Sequence, residues 1–173
     1  MIKKLNKFAE SHYYWLSLAL LCVVLEAAAL FYQYVLNYGP CVLCIHVRII
    51  VLGMFMVCLL ALLFRHSRFA LFAANIVMMI LLAVLLERAY MLLGIERGFV
   101  TGSCGFDSGL PAWFSIDKWF PFMFGIWESC GYTPVLLFGI TMAEALLLMS
   151  AVLLLLSGVV TVYVVRKHFY VKN

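Results

Sequence analysis

Four apolar runs, each long enough to cross a lipid bilayer, constrain this chain more than any other feature. They cover residues 13–36, 42–64, 69–95 and 139–165. A transmembrane helix needs about 20 mainly apolar residues, and a helix satisfies its own backbone hydrogen bonds in lipid. The runs therefore predict an all-α fold: a four-transmembrane-helix bundle that forms one integral membrane domain over 1–173.

The composition excludes a soluble globule as the alternative. Of the 173 residues, 67% are hydrophobic and only 12% are charged, which is more apolar surface than one soluble core can bury. The first run follows Lys3, Lys4 and Lys7 and contains small residues at 27–29, as a secretory signal would. It is too long for the apolar region of such a signal, so we expect it to be a membrane helix.

The basic residues orient the bundle. Eight of the 12 lie at the two termini and between the second and third runs: Lys3, Lys4, Lys7, Arg65, Arg68, Arg166, Lys167 and Lys172. Cytoplasmic loops carry the excess of Lys and Arg, so both termini are expected in the cytoplasm. The net charge of +4 then reflects topology, and no basic cluster points to nucleic acid.

A long second outer loop, 96–138, separates the third and fourth runs. Its stretch 110–127 holds three of the four tryptophans together with several phenylalanines, around Asp117 and Lys118. Aromatic residues favour the membrane interface, so we expect a short interfacial helix there. The stretch either serves only as an anchor or takes part in chemistry; in both cases it keeps the loop close to the membrane.

The topology divides the six cysteines into two groups. Cys41, Cys44, Cys104 and Cys130 fall on the non-cytoplasmic side, where disulfides form and persist, and four cysteines allow three pairings. The remaining two, at positions 22 and 58, lie inside the first and second runs. Buried free cysteines usually act as small hydrophobic residues, and we expect these two to be inert.

The Cys41-x-x-Cys44 motif opens the second run directly after Pro40. Proline suits the start of a helix, and both cysteines are expected in the first turn, where the helix dipole and the motif favour thiolate. Arg48 lies on the same helical face, four residues beyond Cys44. A charged residue inside a membrane indicates function, here stabilising a thiolate or binding a ligand oxygen. The alternative is an arginine that reaches the headgroups or pairs with an acid such as Glu26 or Glu87.

Other uses of the motif fit the sequence less well. Haem attachment needs histidine directly after the second cysteine, where Ile45 stands, and Cys104 and Cys130 form no second C-x-x-C, so we expect no metal. A staple across so short a loop constrains little unfolded-chain entropy. A redox role needs an acceptor for two electrons. Because no dinucleotide, haem or flavin motif is present, a lipid-soluble quinone is the expected acceptor.

At these residues the chain resembles the bacterial DsbB disulfide-bond formation proteins. The resemblance covers nearly the whole length. It rests on Glu26, Gln33-Tyr34-Val35, Pro40-Cys41-x-Leu43-Cys44-x-x-x-Arg48, Cys104, Asp117-Lys118-Trp119 with Pro121, Cys130, and Gly139-Ile140-x-Met142. C-x-x-C alone is weak support, whereas the C-x-L-C-x-x-x-R form with two further loop cysteines is specific.

The resemblance implies a relay of disulfides in a bacterial inner membrane. Cys104 and Cys130 resemble the periplasmic loop disulfide that takes electrons from a thioredoxin-fold oxidase of the DsbA type, with Cys104 forming the mixed disulfide. Cys41 and Cys44 resemble the pair that reoxidises the loop. Cys44 would contact the quinone, ubiquinone or menaquinone, beside Arg48.

The resemblance also implies supporting residues. Met142 and Leu146 would line the quinone pocket, or else serve as ordinary packing residues. Glu26 and Gln33 lie seven residues apart on one helical face and are expected to be a buried polar support.

Departures from the family pattern, and three rival functions, stay open at this point. His46 and Val47 stand where the family commonly has an aromatic residue followed by Glu or Gln, and Tyr90 and Met91 stand where some relatives have a histidine. Quinone affinity or choice would then differ. The rivals are a paralogue with one dedicated partner, a reductase like the vitamin K epoxide reductases, and a non-enzymatic scaffold stapled by disulfides.

Overall fold

The computed structural model describes residues 12–100, 116–128, 134–136 and 139–170, except for the side chains of 68 and 163–170. Its helices are α1 (His12–Tyr34), α2 (Val42–Leu63), α3 (Arg68–Glu96), α4 (Ile116–Trp119), α5 (Pro121–Phe124) and α6 (Met142–Tyr170). The extended structure within these ranges is one isolated antiparallel bridge between Val135 and Thr141. The predicted all-α class is confirmed.

Four of the helices, α1, α2, α3 and α6, are long and apolar enough to cross a membrane. α2 packs against both α1 and α3, and α3 packs against α6. The connections from α1 to α2 and from α2 to α3 are short, which makes these neighbours antiparallel. Large apolar side chains such as Leu63, Leu148 and Leu155 face outward, as lipid-facing residues do. The structure is therefore the expected four-helix bundle.

The two long helices that begin nearest the C-x-x-C motif have defined N-terminal caps. α2 begins at Val42, the first residue of the second apolar run, with Cys41 as its extended N-cap and Pro40 outside the helix. α6 begins at Met142, three residues after the predicted start of that span. Thr141 and Glu144 form a reciprocal capping box there, through Glu144 N to Thr141 Oγ1 (3.4 Å) and Thr141 N to Glu144 Oε2 (3.1 Å).

The aromatic stretch forms two short helices where a single one was expected. Pro121 is the first residue of α5 and Phe120 is its N-cap, so the chain bends between α4 and α5. Proline favours the first position of a helix, because the amide hydrogen that it lacks has no partner there. The predicted loop cysteines, Cys104 and Cys130, lie outside the described residues.

The residues after α5 pack on the short connection between α1 and α2. The Trp127 amide donates to the Pro40 carbonyl at 3.1 Å. A Cβ atom on Gly39 would lie 2.8 Å from Trp127 Cβ and 2.9 Å from Glu128 Cγ, so only glycine permits this approach. The contact brings part of the second loop over the start of α2, beside the C-x-x-C motif.

Candidate active site

The sulfur atoms of the C-x-x-C motif lie side by side at the start of α2. Cys41 Sγ and Cys44 Sγ are 2.7 Å apart, and both cysteines are free. Cys41 is the N-cap and Cys44 is the third helical residue, so only Cys44 occupies the first turn where both were expected. The pair is close enough to hydrogen bond as thiol and thiolate, and a disulfide of about 2.05 Å needs only a small further approach.

The Cys41 sulfur is an acceptor for a backbone amide at the start of α2. It accepts a hydrogen bond from the Cys44 amide at 3.3 Å, as a side chain at an N-cap does. The hydrogen bond with the Cys44 thiol, followed by those from backbone amides, lowers the pKa of Cys41 against the opposing effect of burial. The thiolate is the nucleophile in disulfide exchange, so Cys41 is the more nucleophilic of the two sulfurs in this arrangement.

Arg48 is buried and is held by three hydrogen bonds. Its Nη1 donates to Gln33 Oε1 (2.6 Å) and to the Met123 carbonyl (2.7 Å), and its Nη2 donates to the Ala29 carbonyl (3.0 Å). The sequence left open that Arg48 pairs with an acidic residue. In the structure its hydrogen-bond acceptors are these neutral groups instead. A guanidinium has five N–H donors, so two are not used by these three acceptors.

The same polar cluster fastens α5 to the bundle. Gln33 Nε2 donates to the Phe122 carbonyl at 3.1 Å, and the Tyr34 hydroxyl donates to that carbonyl as well. With the bond from Arg48 to Met123, side chains of α1 and α2 hold two successive carbonyls of α5. Backbone carbonyls carry no sequence signature, so this tether was not predictable.

A cavity of about 90 Å³ lies below the C-x-x-C motif, among α1, α2, α3 and α6. Cys44, Arg48, Met142 and Leu146, the four residues expected at a quinone pocket, all line it. The rest of the wall is largely apolar and comes from Leu25, Glu26, Ala29, Tyr32, Tyr38, Gly39, Pro40, Val47, Val51, Leu92 and Pro134. Its volume is several times the ~15 Å³ that one water needs, so it has room for a small ring.

Glu26 and Gln33 differ although the sequence suggested one supporting role for both. Gln33 is buried and its amide bonds to Arg48 and Phe122, which fits that role. The Glu26 side chain lines the cavity with both carboxyl oxygens buried, and neither has a hydrogen-bond partner in the described part of the chain. The sequence placed the two on one face but gave no sign of this difference.

The positions that depart from the family pattern differ in their relation to the cavity. Val47 lines it, and Leu92 is the residue of α3 that does so. Met91 packs in a small apolar cluster with Cys41, whereas Tyr90 is exposed. Within the residues that the structure describes, no group of three or more His, Cys, Asp or Glu side chains is placed to hold a metal ion.

Comparison with known proteins agrees with this geometry. The family model described as disulfide bond formation protein DsbB matches residues 11–160. The chain belongs to the DsbB family. "Disulfide bond formation protein B" of Shewanella loihica is 33% identical over 141 residues, which cover 81% of this chain and 82% of that protein. The protein of the same name from Haemophilus influenzae strain 86-028NP is 31% identical over 152 residues, covering 83% and 82%.

Membership in the DsbB family confirms the resemblance found in the sequence. Together with the four apolar helices, it identifies a multi-pass membrane protein. It also supports the coarse function, that of an oxidoreductase in disulfide bond formation. The free cysteine pair at the start of α2 is the described site that suits such chemistry.

Proposed function

We propose that the protein is a quinone-dependent thiol oxidase that reoxidises a periplasmic, DsbA-type thioredoxin-fold oxidase. The observation that carries the proposal is the shared cavity: Cys44 and Arg48 line one largely apolar space between the membrane-spanning helices. A redox-active sulfur that faces such a space can pass electrons to a lipid-soluble acceptor. The paralogue, the reductase and the scaffold gain no specific support from the described residues.

The proposed chemistry is a sequence of thiol–disulfide exchanges. The partner's two thiols attack the Cys104–Cys130 disulfide and become a disulfide themselves, which leaves two loop thiols. The loop thiols then reduce the disulfide of Cys41 and Cys44 and are reoxidised. In each exchange one S–S bond forms and one breaks, and two electrons and two protons move on together.

The residues around the cavity suit a quinone. When bound, the quinone takes up the two electrons and two protons of the Cys41/Cys44 dithiol, so that the dithiol becomes a disulfide and the quinone a quinol. The apolar wall, including Met142 and Leu146, suits a lipid-soluble ring. The N–H groups of Arg48 that are not used by Gln33, Met123 and Ala29 are donors for a ring oxygen.

The lowered pKa of Cys41 supports different roles for the two sulfurs of the pair. Cys41 lies at the N-cap, towards the loop, and its thiolate is the stabilised one, so it is the sulfur that exchanges with the loop cysteines. Cys44 lines the cavity and is the sulfur that faces the quinone. For Cys44, this assignment agrees with the quinone contact that the family resemblance implies.

The proposal includes an orientation. Both termini and the α2–α3 connection are cytoplasmic, because they carry most of the basic residues. The start of α2 is then at the periplasmic face of a bacterial inner membrane, where a soluble partner has access to the loop.

Turnover with purified components tests the proposal. The protein is mixed with a reduced thioredoxin-fold oxidase and with ubiquinone or menaquinone, quinone absorbance is followed, and cysteine states are trapped by alkylation. We expect one quinone to be consumed for each partner disulfide formed. Oxidation of the partner at an unchanged rate without quinone, or no oxidation at all, would contradict the proposal.

A loop variant separates the two halves of the relay. In the Cys104→Ser/Cys130→Ser protein, oxidation of the partner should stop, whereas a chemically reduced Cys41/Cys44 pair should still consume quinone. If the double variant oxidised the partner at the wild-type rate, the loop would have no place in the relay.

A further inference from the structure

Glu26 is a polar residue of the cavity wall to which the chemistry proposed above assigns no role. Its carboxyl oxygens are buried in the cavity wall and accept no hydrogen bond from any described residue. The neighbouring polar groups differ: Arg48 and Gln33 bond to each other and to carbonyls of α1 and α5. The carboxyl group is therefore available to interact with a molecule that binds in the cavity.

A buried carboxylate without a donor is unfavourable, and the neutral acid is the form that such a wall accommodates. Arg48 lies close enough for an electrostatic interaction with Glu26, yet it directs three of its N–H groups elsewhere. The carboxyl group thus borders a cation without being fixed to it. Such a group can release a proton and take it up again at low cost, because either form retains some stabilisation.

The other groups that face the cavity define the surroundings of Glu26. On α2 they are Cys44 and Arg48, and on α1 and its following connection they are Tyr32 and Tyr38, while α3 and α6 contribute apolar side chains. On α1 itself, Cys22 lies four residues before Glu26 and interacts with it electrostatically. Glu26 is the carboxylic acid of this set.

We propose that Glu26 is the proton-donating residue of the cavity: its carboxyl group delivers one of the two protons that quinone reduction requires. This inference rests on the function proposed above. The Cys41/Cys44 dithiol loses two electrons and two protons as its S–S bond forms, and the quinone gains the same two electrons and two protons. Glu26 releases one proton into the cavity and regains one of those that the thiols release, so it is unchanged after each turnover.

Single turnover from the reduced pair tests this role. Protein with reduced Cys41 and Cys44 is mixed with a short-chain ubiquinone analogue, and quinol formation is followed at several pH values and in deuterated water. Glu26→Gln keeps the shape of the side chain but carries no acidic proton, and should slow quinol formation by about 10²-fold. Glu26→Asp keeps the acid and should recover most of the rate. Glu87→Gln, which changes an exposed acid paired with Arg88, is the matched control and should keep the wild-type rate.

Two readouts separate proton delivery from a structural role. The solvent isotope effect of the wild-type step should disappear in Glu26→Gln, and the pH profile should keep only the titration of the cysteine pair, while affinity for the quinone analogue stays within about twofold. Independently of turnover, infrared spectra without quinone should show a protonated carboxyl band that is lost as the pH is raised. That band should be missing from Glu26→Gln and present in Glu87→Gln.

Three results would overturn the inference. Glu26→Gln could reduce quinone at the wild-type rate with the same pH profile. Both Glu26 variants could lose quinone affinity and rate together, which would indicate packing alone. The infrared band could be the same in wild type and Glu26→Gln. A wild-type protein that reduces no quinone would instead refute the proposed function itself, so the two failures are distinguishable.

Discussion

Two pairs of cysteines, Cys41/Cys44 and Cys22/Cys58, have opposite surroundings. Cys41 is 3% exposed and Cys58 is 0% exposed, while Cys44 is half-buried, so depth alone does not mark Cys41 as different from the core pair. Cys41 accepts hydrogen bonds at a helix N-terminus, and its partner Cys44 lines a cavity. Cys22 and Cys58 belong to an apolar core cluster with residues such as Trp15 and Met54. The difference teaches that donors and access, rather than depth, separate a redox cysteine from a packing one.

The largest expected effect comes from removing the sulfur that faces the cavity. Cys44→Ala leaves no second thiol with which to form the disulfide, so quinone reduction by the reduced pair should fall to the uncatalysed rate. Stopped-flow quinone absorbance measures this, and Cys58→Ala, the same change at a core cysteine of α2, is the control. A comparable loss of quinone reduction in Cys44→Ala and Cys58→Ala would contradict the distinction between the redox pair and the core pair.

Arg48→Ala should have the next largest effect. It removes the donor to the Met123 carbonyl and leaves Gln33 Oε1 without its partner. Hydrogen bonds to charged groups contribute about 1.5–3 kcal/mol each, so docking of α5 should weaken by about 2 kcal/mol, a roughly 30-fold rise in the detached fraction. Hydrogen exchange at the amides of residues 123–125 measures this, and the KM for quinone should rise as well.

Arg88→Ala is the matched control for the Arg48 variant, because Arg88 is partly exposed on α3 and pairs with its neighbour Glu87. It should leave exchange in α5 unchanged. If the amides of α5 exchanged as slowly in Arg48→Ala as in the wild type, the hydrogen bond from Arg48 to α5 would not contribute to its docking. In either case the loop disulfide should still form.

The pH dependence of Cys41 alkylation tests the cause of its lowered pKa. The thiolate is the stabilised form, so reactivity persists below the ordinary cysteine pKa of about 8.5 and is lost only as pH falls through the lowered value. Cys44→Ala removes the side-chain donor and should shift the alkylation profile to higher pH, reducing the rate at neutral pH by about tenfold. Cys44→Ser keeps a hydroxyl donor and should shift it less. Profiles that match the wild type in both variants would assign the lowered pKa to the backbone hydrogen bonds alone.

The smallest effect is expected in the core pair. Cys22→Ala and Cys58→Ala each remove one sulfur from close packing, which should cost about 1 kcal/mol of stability. Activity and the alkylation of Cys41 should not change. Thermal unfolding in detergent together with quinone turnover checks both statements, and a loss of turnover without a loss of stability would give these cysteines a role in the chemistry.

The sequence predicted the parts of the molecule that depend on periodicity and spacing. Apolar run lengths gave the four helices, and the interval from Cys44 to Arg48 placed both on the cavity side of α2. The start of the last helix was predicted too early, although the sequence contains a signal for it. Thr141-x-x-Glu144 is a capping box, and it fixes the start of α6 after the predicted position.

Other features of the site had no signal in the sequence. Arg48 bonds to carbonyls of Ala29 and Met123, and any residue type supplies a carbonyl. The contrast between bonded Gln33 and unbonded Glu26 depends on where α5 docks, which is a tertiary contact. Sequence spacing identifies a helical face, but not which groups on that face find partners.

The central claim is that electrons leave the protein through Cys41 and Cys44 to a quinone. The most direct measurement uses the Cys104→Ser/Cys130→Ser variant, fully reduced, mixed with ubiquinone without oxygen, and compares quinone consumed with thiols lost to alkylation. The account predicts one quinone consumed for each Cys41–Cys44 disulfide formed. Thiols that oxidise without loss of quinone, or quinone that is consumed while both thiols remain open to alkylation, would contradict it.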